Sequence, residues 1–438
     1  MVDDSATLGA RPARFTAIPR LAEIAYFAFL LLIFVGLQPF AIRDDTALTG
    51  AQAATGAGDA LRQLAFASIF GTIVFASVRE KGYRAFAALP PVLALLLLWC
   101  LISSVWSPEP GISFRRAVLE AVIVLSAMMS ASALGRARSF EILGLVLAGV
   151  LVVNWCSIFV IHQAVHLSGD PEPQLVGDWR GLYFHKNIAG AVAAVSAIIF
   201  FFAAWDRQRW LNIALCIAAI GFAVMTRSKS SLALLPVALA IGTIYRIAWH
   251  STLDRLIVAV LVAIAAGTAA AFLLIDHTAI AHVFSDPSEF TGRAEIWQAE
   301  LSFIRDHPWL GAGFGSFADT GNLSPLHDYV GGDWVNGVAH GHNAYLQLFV
   351  TIGGVGFCLA LVGLVIMPLI AFVRENSGRV GEMAMPFAIF VFIVLHNLLE
   401  SDFLEGDGPA WVAFLVVLAA LGWKRATYEP EPARAPWL

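Results

Sequence analysis

The stretch NAYLQLFVTIGGVGFCLALVGLVIMPLIAFV, residues 343–373, runs for 31 residues without an Asp, Glu, Lys or Arg. A helix crossing the hydrocarbon of a bilayer needs roughly 20 mostly apolar residues, so this segment alone puts the chain in a membrane. Eleven more stretches of the same character flank it, near 21–39, 60–78, 86–105, 116–134, 140–161, 188–205, 211–226, 231–249, 256–275, 381–399 and 410–423. Composition agrees with twelve spanning helices. Of the 438 residues 59 % are hydrophobic and 13 % charged, with mean hydropathy +0.75, where a soluble domain carries about 25 % charged residues. A soluble enzyme is excluded, and so is a disordered chain. The net charge of −5 points to no nucleic-acid partner. Cys100, Cys156, Cys216 and Cys358 all fall inside apolar runs and read as small core residues.

Charge asymmetry orients the bundle. With a cytoplasmic N-terminus, the N-terminal segment, the even-numbered loops and the tail hold 17 of the 27 Lys+Arg but 11 of the 32 Asp+Glu. That is the distribution expected of a multi-pass protein with both termini inside. The first run follows Arg11, Arg14 and Arg20 and reads as an uncleaved anchor. The expected layout is one membrane domain over 1–438, a large outer loop at 276–342 and a short inner tail at 424–438. Inner loops are too short for a catalytic domain, and no GxxxxGK[ST] motif occurs, so nucleotide hydrolysis has no site. Within the outer loop, residues 291–305 read as a helix with Trp297, Leu301 and Ile304 on one face.

Among the basic residues that break the charge rule are Arg115, Arg116, Arg180, Lys186, Arg227, Lys229, Arg293 and Arg305. A charge at the hydrocarbon boundary is costly unless paired or bound to something. Snorkelling or pairing with outer carboxylates explains any one of them. Arg227 and Lys229 crowd a loop of only a few residues, a good place to hold a phosphate or diphosphate at the outer lipid surface. Arg293 falls in the first turn of the loop helix, with Thr291 as its expected N-cap, where the positive helix end favours an anion.

His340 and His342 end the large loop just before the span at 343. A histidine at a helix N-terminus is disfavoured as imidazolium, which suits a general base; a capping role is the plain alternative. The triplets Asp170-Pro171-Glu172, Glu400-Ser401-Asp402 and Glu405-Gly406-Asp407 also face out, but they are weak candidates for a divalent cation. No metal or other cofactor is expected, and arginine and lysine then neutralise any diphosphate.

Several of these residues lie in a recognisable pattern. TGRAEIW (291–297), HPWLGAGFG (307–315) and HNAYLQ (342–347), with Gly353, Gly354 and Gly356, resemble the O-antigen ligase and polymerase superfamily of membrane glycosyltransferases in order and spacing. SKS (228–230) is similar to the family's S-R/K-small motif, with lysine where arginine is commoner. HKNIA (185–189) resembles its H/N-x-N segment before a span.

The resemblance implies metal-independent, inverting glycosyl transfer on the periplasmic side of a Gram-negative inner membrane. The donor is then an undecaprenyl-diphosphate-linked O-antigen, and the acceptor for a ligase is lipid A-core oligosaccharide. By the same analogy His342 is the base, and Arg293 with Lys229 or Arg227 holds the diphosphate. His340, Lys186, Asn187, Arg116, Arg180 and Trp297 are supporting candidates. A polymerase extends the glycan on its carrier. A protein O-oligosaccharyltransferase moves it to serine or threonine and commonly carries a further C-terminal domain. The short tail favours the first two, and the compact outer loop favours the ligase. A secondary transporter is the competitor from another class. Pro90-Pro91 and Pro236 do interrupt spans, but not at the corresponding positions that repeat-built transporters show.

Overall fold

A computed structural model describes residues 17–41, 60–168, 173–206, 208–248, 293–318, 320, 323–331, 338, 341–375 and 379–422. The fold is that of an all-α polytopic membrane protein. In chain order its main helices are α1 (Ala17–Phe34), α2 (Ala60–Lys81), α3 (Pro91–Ser103), α4 (Pro110–Leu134), α5 (Arg136–Val160), α6 (Lys186–Asp206), α7 (Arg209–Thr226) and α8 (Lys229–Ala248). There follow α9 (Arg293–Asp306), α10 (Ala344–Ala360), α11 (Met367–Val373), α12 (Val380–His396) and α13 (Pro409–Ala420). Each sequence stretch predicted to span the membrane overlaps one of these helices, except 343–373, which takes in both α10 and α11, and the one near 256–275, which lies outside the described residues. Among the described residues seven helices are long and apolar enough to cross a bilayer, and those covering 91–106, 380–396 and 409–420 are shorter apolar helices.

The centre of the bundle is α13, whose residues Trp411 to Leu418 are all buried. A short helix can be apolar on every side because α4, α6 and α12 surround it. The α4 carboxylate Glu120 is fully buried too. It accepts from Trp411 Nε1 at 2.7 Å and from the Gly406 amide at 2.9 Å, and Arg62 of α2 pairs with Asp407. These contacts fix the turn between α12 and α13. Cys100 and Cys216 are core residues as expected, whereas Cys156 and Cys358 lie on the exterior; all four are free thiols.

The long apolar run at 343–373 is not one continuous helix. Gly353 (φ 66°, ψ −177°) breaks α10, and a π-helical turn over Leu361–Ile366 joins it to α11. Backbone groups freed inside a membrane must find partners within the protein. The segment 308–313 supplies them. Ala312 and Gly313 donate to the carbonyls of Val350 and Thr351 at 2.8 Å, and Gly354 donates to Pro308 at 2.9 Å. Trp99 Nε1 takes the Ile352 carbonyl at 2.9 Å. A side chain at Gly353 would put its Cβ 2.2 Å from the Trp309 oxygen, and one at Gly311 would lie 2.6 Å from the Gly353 nitrogen. Direct backbone-to-backbone contact is why both positions are glycine.

The loop helix α9 forms over the predicted residues but packs by a different stripe. Ala299 and Phe303 are buried against Phe317, Leu326 and Val350, with Ile304 packed on them, while Leu301 is 47 % exposed. Of the expected Trp297–Leu301–Ile304 face only Ile304 joins that cluster, because two apolar stripes overlap on this short helix. The turn that rotates Leu301 outward points the Trp297 indole at the segment leading into α10.

Candidate active site

At one end of the bundle the N-termini of α6, α8, α9 and α10 gather around the turn that follows α12. Asn343 caps α10, its side-chain oxygen accepting from the Tyr345 and Leu346 amides at 3.0 and 3.1 Å. The Ala344 amide donates to the carbonyls of Asn397 and Glu400 at 3.0 Å, and Asn343 Nδ2 reaches the Leu398 carbonyl. The α10 N-terminus is therefore stitched directly onto the 397–400 turn. Just ahead of the cap, His342 sits at φ 53°, left-handed backbone that is uncommon for a side chain of this size and concentrates at functional sites.

Glu400 is the hub. Its Oε2 lies 3.0 Å from His342 Nδ1. Its Oε1 accepts from Asn187 Nδ2 at 2.9 Å, Arg293 at 3.2 Å and Ser230 Oγ at 3.3 Å. A second Arg293 nitrogen takes the Leu399 carbonyl at 2.8 Å. Burial pushes the Glu400 pKa up, but the His342 hydrogen bond, followed by the charges of His342, Arg293 and His396, outweighs it. The carboxyl is held well below the ordinary carboxylate range. Four helix N-termini reinforce that preference for negative charge. His185, just before α6, has its ring capped by the Asn187 amide at 3.2 Å. Burial first, then the charge of His342, lowers its pKa to about 3, with only Glu400 acting the other way. It is a neutral imidazole at working pH.

Lys186 and Arg227 form a second charged cluster with buried Asp178, at 2.6 and 3.2 Å. Lys229, at the start of α8, is exposed and has no ion pair among the described residues. The Trp297 indole donates to the Gly341 carbonyl at 2.6 Å. Three residues further along α9, the carboxyl of Glu300 is buried and lies against Gly341, where a Cβ would come within 2.1 Å of Oε1. Among the described residues neither Glu300 oxygen has a hydrogen-bond partner, and burial raises this carboxyl to about 8.

Of the residues expected at the site, His342, Arg293 and Asn187 meet at Glu400. Lys229, Lys186, Arg227 and Trp297 surround them. Arg116 and Arg180 do not join the hub: Arg116 bonds the Gly315 carbonyl, and buried Arg180 gathers the carbonyls of Gln163, Ala41 and Phe184. His340, Thr291 and the pair Asp170–Glu172 lie outside the described residues. Glu400 and Asp402 point to different partners, His342 and His396, rather than to a shared cation position. The centrality of Glu400 is what the sequence reading missed. The available signal was an acid directly after a span, which must be paired to be stable there.

A polytopic membrane protein with a carboxylate–histidine pair, surrounded by cations and by the positive ends of helices, is the class that fold and site define. Residues 181–361 match the family model described as O-antigen ligase. The match covers less than half of the chain and, with the apolar helices, supports a glycosyltransferase-like membrane enzyme of the ligase or polymerase kind. The matched segment carries Asn187, Ser230, Arg293 and His342 and stops short of Glu400. No curated protein matches the chain.

Proposed function

We propose that this protein is an O-antigen ligase proper, which transfers a glycan from undecaprenyl diphosphate to a hydroxyl of lipid A-core oligosaccharide. The observation that carries the reading is the His342–Glu400–Arg293 cluster, which sets a base and a cation side by side at a ring of helix N-termini. Glu400 facing Nδ1 favours the tautomer with its proton there, leaving Nε2 as the basic atom. The acceptor hydroxyl gives its proton to Nε2 while its oxygen bonds to the anomeric carbon. The carbon–oxygen bond to the diphosphate breaks, and its electron pair leaves with the phosphate oxygen. Attack opposite the leaving group inverts the anomeric centre. Arg293, with Lys229 and Arg227, neutralises the leaving diphosphate without a metal. Lys186 and Asn187 hold the α6 end of the site, Trp297 the loop before α10, and Arg180 and Arg116 tie the neighbouring loops at one remove.

The charge distribution supports a periplasmic site in the inner membrane, with both termini cytoplasmic. The test is to incubate the purified protein with undecaprenyl-diphosphate glycan and lipid A-core, with and without chelator. Glycosylated lipid A-core, formed equally in both, is the expected product. Glycan growth on the carrier lipid instead makes the protein a polymerase, and transfer to a serine- or threonine-containing acceptor protein makes it a protein O-oligosaccharyltransferase.

A further inference from the structure

The transfer step described above leaves unused a buried polar chain behind Glu400. Ser228, Ser230 and Ser231, at the start of α8, are all buried. Ser230 Oγ bonds Glu400 Oε1 at 3.3 Å and lies 3.5 Å from Ser228 Oγ. Ser228 Oγ is 3.1 Å from Ser231 Oγ, which lies 3.2 Å from His396 Nε2. On the far side of that ring, His396 Nδ1 meets Asp402 Oδ2 at 2.7 Å. Asp402 is held in turn, since its amide and that of Phe403 both donate to Asn397 Oδ1 at 2.9 Å. Two histidine–carboxylate pairs are thus joined through three serine hydroxyls.

The Ser231–His396–Asp402 order matches a nucleophile, base and orienting acid, but His396 is 1 % exposed, with its ring stacked on Phe392. No substrate reaches it. The serines are also locked in place, because a Cβ on Gly190 of α6 would lie 2.5 Å from Ser228 Cβ and 3.1 Å from Ser231 Oγ.

We propose that His396–Asp402 is a positioning pair for the active site, acting through Ser231, Ser228 and Ser230 on Glu400 and hence on His342. The proposal rests on the reading of His342 as the base. His396 Nδ1 donates its proton to a hydrogen bond with Asp402, which leaves Nε2 to accept from Ser231 and orients the serine hydroxyls. Ser231 in turn accepts from Ser228, whose oxygen lies against that of Ser230, the donor to Glu400, so the buried hydroxyls brace one another. A buried carboxylate with two competing faces is thereby held with Oε2 on His342, so the base keeps one tautomer and one orientation.

Amide substitutions separate this role from simple bracing of the turn. Glutamine at 396 reaches the place of Nε2 and keeps a hydrogen-bond partner for Ser231; asparagine reaches the place of Nδ1 and keeps only Asp402. The experiment is kcat and donor KM of the full chain in proteoliposomes, with undecaprenyl-diphosphate glycan and lipid A-core, for wild type, His396→Gln, His396→Asn, Ser231→Ala and His342→Ala. His396→Gln is expected close to wild type. His396→Asn and Ser231→Ala should lose about tenfold in kcat at unchanged KM, the lower end of the effect of losing an orienting partner. Asparagine equal to or better than glutamine, or Ser231→Ala at the wild-type kcat, overturns the proposal. Should His342→Ala transfer at the wild-type rate, the base assignment itself fails. A dead His342→Ala with the amide order reversed removes only the positioning role.

Discussion

Replacing Glu400 with glutamine keeps the shape of the hub and removes its charge. Four side chains lose a charged acceptor at once: His342, Arg293, Asn187 and Ser230, at 2.9–3.3 Å. A hydrogen bond to a charged group contributes about 1.5–3 kcal/mol, and removing one partner of a buried pair costs about 3–5 kcal/mol. Arg293 is 18 % exposed at its side chain and can turn toward solvent, which keeps the stability loss near the lower figure. The effect on chemistry is larger in proportion. An amide no longer enforces the Nδ1–H tautomer, and losing a general base's contribution costs about 10²–10⁴-fold in rate. Glu400→Gln should therefore lower kcat by about 10²-fold or more. Donor binding should move the other way. With Glu400 neutral, Arg293 no longer divides its charge between a carboxylate and the diphosphate, so affinity for undecaprenyl diphosphate is expected to hold or tighten. The assay pairs turnover in proteoliposomes with binding of glycan-free carrier lipid. A fall in lipid affinity matching the fall in kcat would refute the reasoning, since Glu400 would then be shaping the donor pocket rather than orienting the base.

Arg293→Ala should weaken carrier-lipid binding by about 1.5–3 kcal/mol, and Arg293→Lys by less, because lysine keeps the charge but not the two-pronged fork; equal affinity in all three proteins would make the arginine structural. Glu300 titrates near 8 when folded against 4.5 in its unperturbed state, so the folded protein binds the extra proton between those values and stability falls as pH rises through that window. Thermal unfolding in detergent should show wild type losing stability from pH 6 to 9 and Glu300→Gln losing less; parallel curves would contradict this. Gly353→Ala should cost more than about 3 kcal/mol, from left-handed strain plus overlap with the Trp309 carbonyl, and should appear as a large drop in melting temperature or in folded yield.

Much of the fold was legible because one physical demand, burying the backbone in hydrocarbon, leaves long uncharged runs. The described helices fall on those runs to within a few residues. What stayed hidden was the break at Gly353. Glycines 311, 313, 353 and 354 were visible as a pattern, but only the contact between segments 308–313 and 350–355 gives them a reason. The packed face of α9 was misread for a related cause: several apolar residues on 14 helical positions allow more than one stripe. At the site, His342 and Arg293 could be named because helix ends and boundary charges carry their own energetic logic. Glu400 could not, since its importance comes from four partners spread from 187 to 342 in the sequence. Arg180 shows the converse, a buried cation whose partners turn out to be main-chain carbonyls that no sequence pattern announces.

The central claim is that His342 is the base and the arginine cluster is the diphosphate grip. One comparison tests it most directly: single-turnover transfer from undecaprenyl-diphosphate glycan to lipid A-core by wild type and His342→Ala, each at saturating donor, with carrier-lipid binding measured on the same preparations. The account predicts that His342→Ala binds the lipid like wild type and transfers at least about 10²-fold more slowly. Transfer by His342→Ala at near the wild-type rate, with lipid binding intact, would contradict it.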